Sequence, residues 1–199
     1  MKQYPSIPRD LQNIPIYAFD KLDGSNVRTE WHPKKGLWKF GSRTQLIDET
    51  SSLGEAIGLI NQYSEVIHQE LRDMKVEEAT LFFEFFGESS FAGTHYAEPH
   101  RVSLIDVSLY KKGFMNPGDF NKVFKEVPKA KMLYYGNCNR DFIELVKTGN
   151  LESMTFEGVV CKATRAKASH PPIMFKVKNQ AWIDKLRNTV TADEFDALL

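Results

Sequence analysis

Apolar residues recur along this chain in two rhythms, one helical and one alternating, and the change from one to the other marks out its elements. From Ser52 to Arg72 the spacing of Leu53, Ile57, Ile60, Ile67 and Leu71 puts them on one face of a single helix, and Ser52 with Glu55 three residues on has the form of a capping box. Shorter helical patterns cover Pro117 to Lys125, Asp141 to Lys147 and Gln180 to Arg187. Elsewhere, short stretches dominated by aromatic and β-branched residues predict strands at Ile16 to Phe19, Val27 to Trp31, Leu37 to Gly41, Thr80 to Phe86, Val102 to Tyr110, Lys131 to Tyr135, Phe156 to Lys162 and Ile173 to Val177. Strands outnumber helices and do not alternate strictly with them. That pattern predicts an α+β fold with largely antiparallel sheets, not a doubly wound parallel sheet.

Glycine and proline punctuate these segments without any internal repeat, and 199 residues fill one good core but not two, so a single domain over 1–199 is expected. With 42% hydrophobic and 26% charged residues the chain is globular, which excludes bulk disorder. No apolar run approaches the ~20 residues of a bilayer span, and Met1 to Asp10 lacks the apolar core of a secretory signal. Cys138 and Cys161 have neither C-x-x-C spacing nor a companion histidine cluster, which points away from a disulfide framework or a zinc site. A monomer in a reducing cytoplasm, without a membrane partner, is the expectation. Lys and Arg number 26 against 26 Asp and Glu, so no overall positive field exists and any nucleic-acid surface must be a local patch. His32, His68, His95, His100 and His170 show no metal spacing and read as surface or loop residues; the loop from Ala92 to His100 reads as a loop first and a nucleic-acid contact second.

Four short segments carry chemistry. In Lys21-Leu22-Asp23-Gly24-Ser25-Asn26, directly after a strand, Gly24 permits a tight turn that would project Lys21 from a rigid edge as a nucleophile; the plain alternative is a hairpin with a solvated lysine. Glu84 lies within the apolar Phe83-Glu84-Phe85-Phe86-Gly87, where it is either a buried carboxylate needing a partner or a solvent-facing residue of an edge strand. In Glu157-Gly158-Val159-Val160-Cys161-Lys162 alternation points Glu157, Val159 and Cys161 one way and Val160 and Lys162 the other, while Gly158 allows close approach to the backbone. Lys176 and Lys178 share one strand face about 7 Å apart, unfavourable unless an anion lies between them.

Taken jointly and in order, with Gly41-Ser42-Arg43 added, these segments resemble the covalent nucleotidyltransferase superfamily of ATP-dependent DNA and RNA ligases and mRNA capping enzymes. Asn26 after K-x-D-G-S, and Trp182 following Lys176-Val177-Lys178, bring the chain nearest to the nick-sealing branch of the RNA ligases, over residues 16 to 178. The resemblance implies the ligase adenylation fold, with an ATP cleft between sheets flanked by helices. It also implies the activity: Lys21 takes AMP from ATP, passes it to a 5'-phosphate, and a 3'-hydroxyl of RNA or a nicked duplex then displaces it. A minimal DNA ligase and a catalytically idle nucleotide- or RNA-binding module are the alternatives.

The same resemblance assigns roles to residues. Asp23 belongs to the nucleotide-binding lysine motif, Arg43 touches the ribose and the incoming phosphate, Glu84 takes the ribose hydroxyls, and Glu157 is associated with magnesium or manganese. Val160 lies beneath the adenine, Lys176 and Lys178 contact the α-phosphate, and Asn26 helps position the nick. Only roughly one free lysine in 2,500 is unprotonated at neutral pH, so Lys176, Lys178, a divalent cation and partial burial are expected to lower the Lys21 pKa. The chain departs from the family in two places. Ile105 occupies the position before Asp106 where an aromatic ring often stacks on the purine, while Asp106 is retained. And only 21 residues follow Lys178, so neither a carboxy-terminal oligonucleotide-binding domain nor a separate helical domain is expected.

Overall fold

Alternation along the strands is realised as two antiparallel sheets, and the loop carrying Lys21 is where the chain passes from one to the other. In the computed structural model residues 1–9, 13–88, 98–164, 172–192 and 195 are described; His95 and His170 lie outside them. Chain order is β1 (Pro15–Asp20), β2 (Ser25–His32), β3 (Gly36–Gly41), β4 (Leu46–Ile47), α1 (Glu55–Asn61), α2 (Ser64–Asp73), β5 (Ala79–Phe86), β6 (Arg101–Leu109), β7 (Gly113–Phe114), α3 (Pro117–Val123), β8 (Met132–Asn137), α4 (Arg140–Lys147), β9 (Gly158–Lys162), β10 (Met174–Lys178) and α5 (Gln180–Arg187). One sheet has the order β10-β9-β1-β8 and the other β4-β3-β2-β5-β6-β7. Every pairing between these strands is antiparallel.

The main core lies between one face of the six-stranded sheet and the helices. Val27, Leu81, Phe83, Phe85 and Val107 meet Ile60, Ile67 and Leu71 of α1 and α2 and Phe120 of α3. Each such side chain, fully buried, contributes about 1.5–3 kcal/mol. A second core forms where Ile16, Ala18, Val159, Phe175 and Val177 cover Phe142 and Val146 of α4, a helix whose first turn is capped by Asn139 accepting from the Phe142 amide at 2.9 Å. Both cysteines are free and buried in this second core.

The single helix expected from Ser52 to Arg72 is two. After Asn61 the Tyr63 amide bonds back to the Ile60 carbonyl, and α2 starts afresh at Ser64. Its apolar face persists because both halves lie on the same core. The capping box does not form, since Glu55 is already the first helical residue and pairs with His100. Asp48 organises this entry instead, its Oδ1 accepting from the Thr50 amide and from the Thr50 and Ser51 hydroxyls. No helix among the described residues is long and apolar enough to cross a membrane.

Residues 1–9 strap the second face of the six-stranded sheet. Lys2 Nζ donates to Ser108 Oγ at 2.7 Å, Tyr4 sits among Phe82 and Phe114 with its hydroxyl on Asp106 Oδ2 at 3.1 Å, and the Pro8 carbonyl accepts from the Lys176 amide on β10. The segment therefore runs from one sheet to the other along the side of the cleft between them.

Candidate active site

A cavity of about 680 Å³ opens between the two sheets. From the four-stranded sheet, Phe19, Val160, Lys162, Lys176 and Lys178 face it; Asn26, Glu84 and Ile105 face it from the six-stranded sheet. The β1–β2 crossover brings Lys21 and Asp23, the β3–β4 turn brings Arg43, and Glu157 stands at the head of β9. Of the residues singled out in the sequence, Asp106 alone stands behind the wall. It is buried and holds Lys162, whose Nζ lies 2.9 Å from Asp106 Oδ2 and 2.6 Å from the Ile105 carbonyl.

Lys21 directly follows β1 and is held in the cleft; it is not a solvated hairpin lysine. Its amide donates to the Gly158 carbonyl at 2.9 Å, and the preceding Asp20 is buried, accepting from the Thr155 amide and hydroxyl. Gly24 earns its place differently from the expected turn: a Cβ there would come within 2.3 Å of the Phe85 carbonyl, so glycine is needed for the crossover to lie against β5. Its amide also bonds to Glu84. Glu84 itself lies on the middle of the six-stranded sheet, opposite Asn26, and not on an edge.

Glu157 corrects the alternation reading. Val159 and Cys161 enter the second core as expected, but Glu157 faces the cavity with Val160 and Lys162. Gly158 takes φ +133°, a conformation that L side chains rarely adopt, and a Cβ at this position would strike the Val177 carbonyl; the backbone turns there and re-aims the residue before it. One oxygen of Glu157, Oε1, then lies 2.7 Å from Lys21 Nζ and 2.9 Å from Lys178 Nζ. Lys178 is also stacked on the Trp182 ring, 3.6 Å from its centroid, which is what α5 contributes.

Without a divalent cation, this pairing sets the ionisation of Lys21 opposite to the lowering expected with one bound. Burial presses its pKa down, but Glu157, Glu84 and Asp23 outweigh burial, and the net shift is upward. Lys178 is the depressed amine, brought to about 8 by burial and then by the nearby Lys21 and Lys176 charges against the pull of Glu157. Lys176 is lowered too, first by burial and then by Lys21. Burial raises the Glu84 carboxyl to about 7, with Glu157 and Asp23 pushing the same way and Lys21 opposing. Cations on the four-stranded sheet thus face carboxylates that hold them in place.

Ile105 and Val160 line the cavity from the two sheets, and Lys162 ties these sides together by reaching from β9 to the Ile105 carbonyl on β6. No role for Lys162 or for Tyr4 and Ile7, which complete the wall, follows from the sequence rhythm; the one signal was a lysine sharing a strand face with Val160. Asn26 Oδ1 is buried with no donor among the described residues, an acceptor that a hydroxyl or a water could meet.

Two antiparallel sheets around a lysine-bearing cleft define the nucleotidyltransferase fold of polynucleotide ligases. A family model described as RNA ligase matches residues 14–178, and the chain belongs to that family. Among solved structures it is similar to a variant of Naegleria gruberi RNA ligase with AMP and Mn (TM-score 0.69, 15% identity, 93% of this chain and 58% of that one). It is similar also to the same ligase with PPi (TM-score 0.68, 16% identity, 89% and 53%) and to another variant with ATP and Mn (TM-score 0.66, 16% identity, 87% and 52%). The likeness is one of fold, and the chain spans a little over half the length of those proteins. A comparison with curated proteins finds no sequence match.

Proposed function

We propose that this chain is an ATP-dependent polynucleotide ligase of the RNA type that joins a 3'-hydroxyl to a 5'-phosphate through AMP carried on Lys21. The observation that carries the reading is the Lys21 amine inside a cleft, sharing Glu157 with Lys178 and facing Lys176. In the first step the Nζ lone pair attacks the α-phosphorus of ATP, the bond to the β-phosphate oxygen breaks, and pyrophosphate leaves with that electron pair while Nζ loses a proton. An oxygen of a 5'-phosphate next attacks the same phosphorus, the P–N bond breaks, and Lys21 regains a proton. Finally the 3'-oxygen attacks the 5'-phosphorus, AMP departs, and the phosphodiester is closed.

Roles follow from position. Lys176, Lys178 and Arg43 would neutralise the phosphates, Glu84, Asn26 and Asp23 would meet the ribose and the lysine loop, and Ile105 and Val160 would enclose adenine. Asp106 would act at one remove, by fixing Lys162. The donor set fits a divalent cation: among the described residues no group of three or more ligating side chains exists, but a carboxylate that already draws two ammonium groups suits magnesium or manganese, which keep waters and phosphate oxygens as most of their shell. Such an ion supplies neutralisation of the triphosphate and competition for Glu157. With Glu157 engaged by such an ion, what raises the Lys21 pKa would weaken while burial remained, which would favour the free amine as nucleophile. The N. gruberi structures with ATP, AMP and Mn support the same ligands here.

Incubation with ATP labelled at the α-phosphate and magnesium, followed by denaturation, is expected to leave label on the wild type and none, at least a thousandfold less, on Lys21→Ala. An unlabelled wild type would favour an idle binding module. Nicks differing only in the sugar of the 3'-terminal nucleotides then separate RNA from DNA sealing.

A further inference from the structure

We propose a second nucleic-acid site on the same face of the six-stranded sheet, at the end away from the cleft: a stacking platform for single-stranded RNA built on Trp38 and Tyr110. A hollow of about 560 Å³ opens there, on the other side of the amino-terminal strap, and both rings line it. They are 45% and 50% exposed, whereas Trp31 and Trp182 are 1% and 3% exposed. The sheet itself causes the exposure of Trp38. The β2–β3 register shifts between Glu30 and Trp31, pairing Glu30 with Lys39 and Trp31 with Leu37, so Trp38 is the unpaired residue of a bulge and turns outward. Tyr110 stands at the end of β6, on the tight turn where Lys111 and Gly113 take φ 57° and 75°.

Ammonium groups accompany each ring. Lys35 Nζ lies 4.0 Å and Lys39 Nζ 5.6 Å from the Trp38 centroid, and Lys111 Nζ lies 4.8 Å from that of Tyr110. Lys34 and Lys112 sit on the same two turns, and Lys2 lines the hollow. Six lysines and the amino terminus thus stand against Glu30, Glu77 and Glu78, and Glu30 is already engaged by Lys39 and the amino terminus. In a chain of zero net charge this is a local positive patch, interleaved with exposed rings, which is the chemistry that holds an unpaired strand: bases stack on the rings and phosphates meet the ammonium groups. Thr80 of this hollow and Glu84 of the cleft are four residues apart on β5, about 13 Å, with Tyr4 of the strap packed on Phe82 between them, so a strand reaching both would pass over the strap.

The choice of RNA as occupant rests on the function proposed above, but the test does not need catalysis. A twelve-nucleotide oligouridine titrated without ATP is expected to quench the fluorescence of wild-type Trp38 saturably. By anisotropy of the labelled oligonucleotide, Trp38→Ala with Tyr110→Ala should bind at least tenfold more weakly, and Lys35→Glu with Lys111→Glu should also flatten the salt dependence. Labelling of Lys21 by ATP should be unchanged in both. Absence of quenching, or binding by both double variants within twofold of wild type, overturns the platform. So does a change in sedimentation of either variant without RNA, which would assign the surface to a protein contact. Failure of ATP labelling alongside intact quenching would sink the ligase reading and leave the platform standing.

Discussion

The two walls of the cleft are built from the same kind of element and differ in charge. Strands β9 and β10 present Lys162, Lys176 and Lys178, while β2, β5 and β6 present Asn26, Glu84 and Ile105. Both walls alternate, burying one set of side chains in a core and offering the other to the cavity. On the proposed function, the lysines of the four-stranded wall would meet phosphates and the polar groups of the six-stranded wall the ribose, with adenine between Val160 of one wall and Ile105 of the other. Two contacts keep this division from drifting: Lys162 reaching across to Ile105 and Asp106, and Glu157 gathering Lys21 and Lys178.

Breaking the first contact has the largest expected effect short of removing Lys21. Lys162→Met strands the Asp106 carboxylate in a buried site and should lower unfolding free energy by about 3 kcal/mol in urea titration, with part recovered when Asp106→Asn is added. An unchanged midpoint would mean the walls are not tied there. Next comes the carboxylate of the six-stranded wall. Because its pKa in the folded protein is about 7, above the ordinary 4.5, the folded state holds this proton more tightly; that stabilisation is whole below about pH 4.5 and lost as pH rises through 7. Glu84→Gln should therefore be more stable than wild type at about pH 8, on the order of 2 kcal/mol, and equal to it at about pH 4.5. Equal stability at both pH values would show Glu84 to be solvated.

The second contact is sharpened by pH and metal together. Held by Glu157, Lys21 stays an ammonium beyond the ordinary lysine range, so the adenylylation rate at limiting metal should climb only in alkaline solution. Saturating magnesium should move that limb down by about one pH unit, a tenfold gain at fixed pH. A limb indifferent to metal would remove Glu157 from the control of Lys21. The smallest effect concerns the base: Ile105→Phe, adding a ring to the six-stranded wall, should lower the KM for ATP about threefold, as expected for one stacking contact. A rise in KM would mean the gap to Val160 has no room for it.

Much of this was legible in the residues. The strands were read because aromatic and β-branched residues alternate, and Lys176 and Lys178 share a face because the period is fixed by backbone geometry. Beside the capping box that does not form and the turn that Gly24 does not make, three features differ from the residue pattern, each for a physical reason. The helix break at Tyr63 leaves the apolar face continuous, so periodicity does not reveal it. Glu157 escaped alternation because Gly158 takes a conformation that the strand pattern does not admit. And the upward shift of Lys21 without a divalent cation comes from a carboxylate far along the chain, Glu157, which no local pattern places beside it.

What the sequence by itself determined is local: element type, the side chains that share a strand face, and a set of motifs specific enough to indicate the family. Tertiary structure alone decided which of those faces meet, that Asp106 stands behind the wall, that Glu157 binds two lysines at once, and that Trp38 and Tyr110 share a hollow. Backbone period is a property of neighbouring residues, whereas docking two sheets and setting a charge against its partner depend on packing between segments that no local pattern relates.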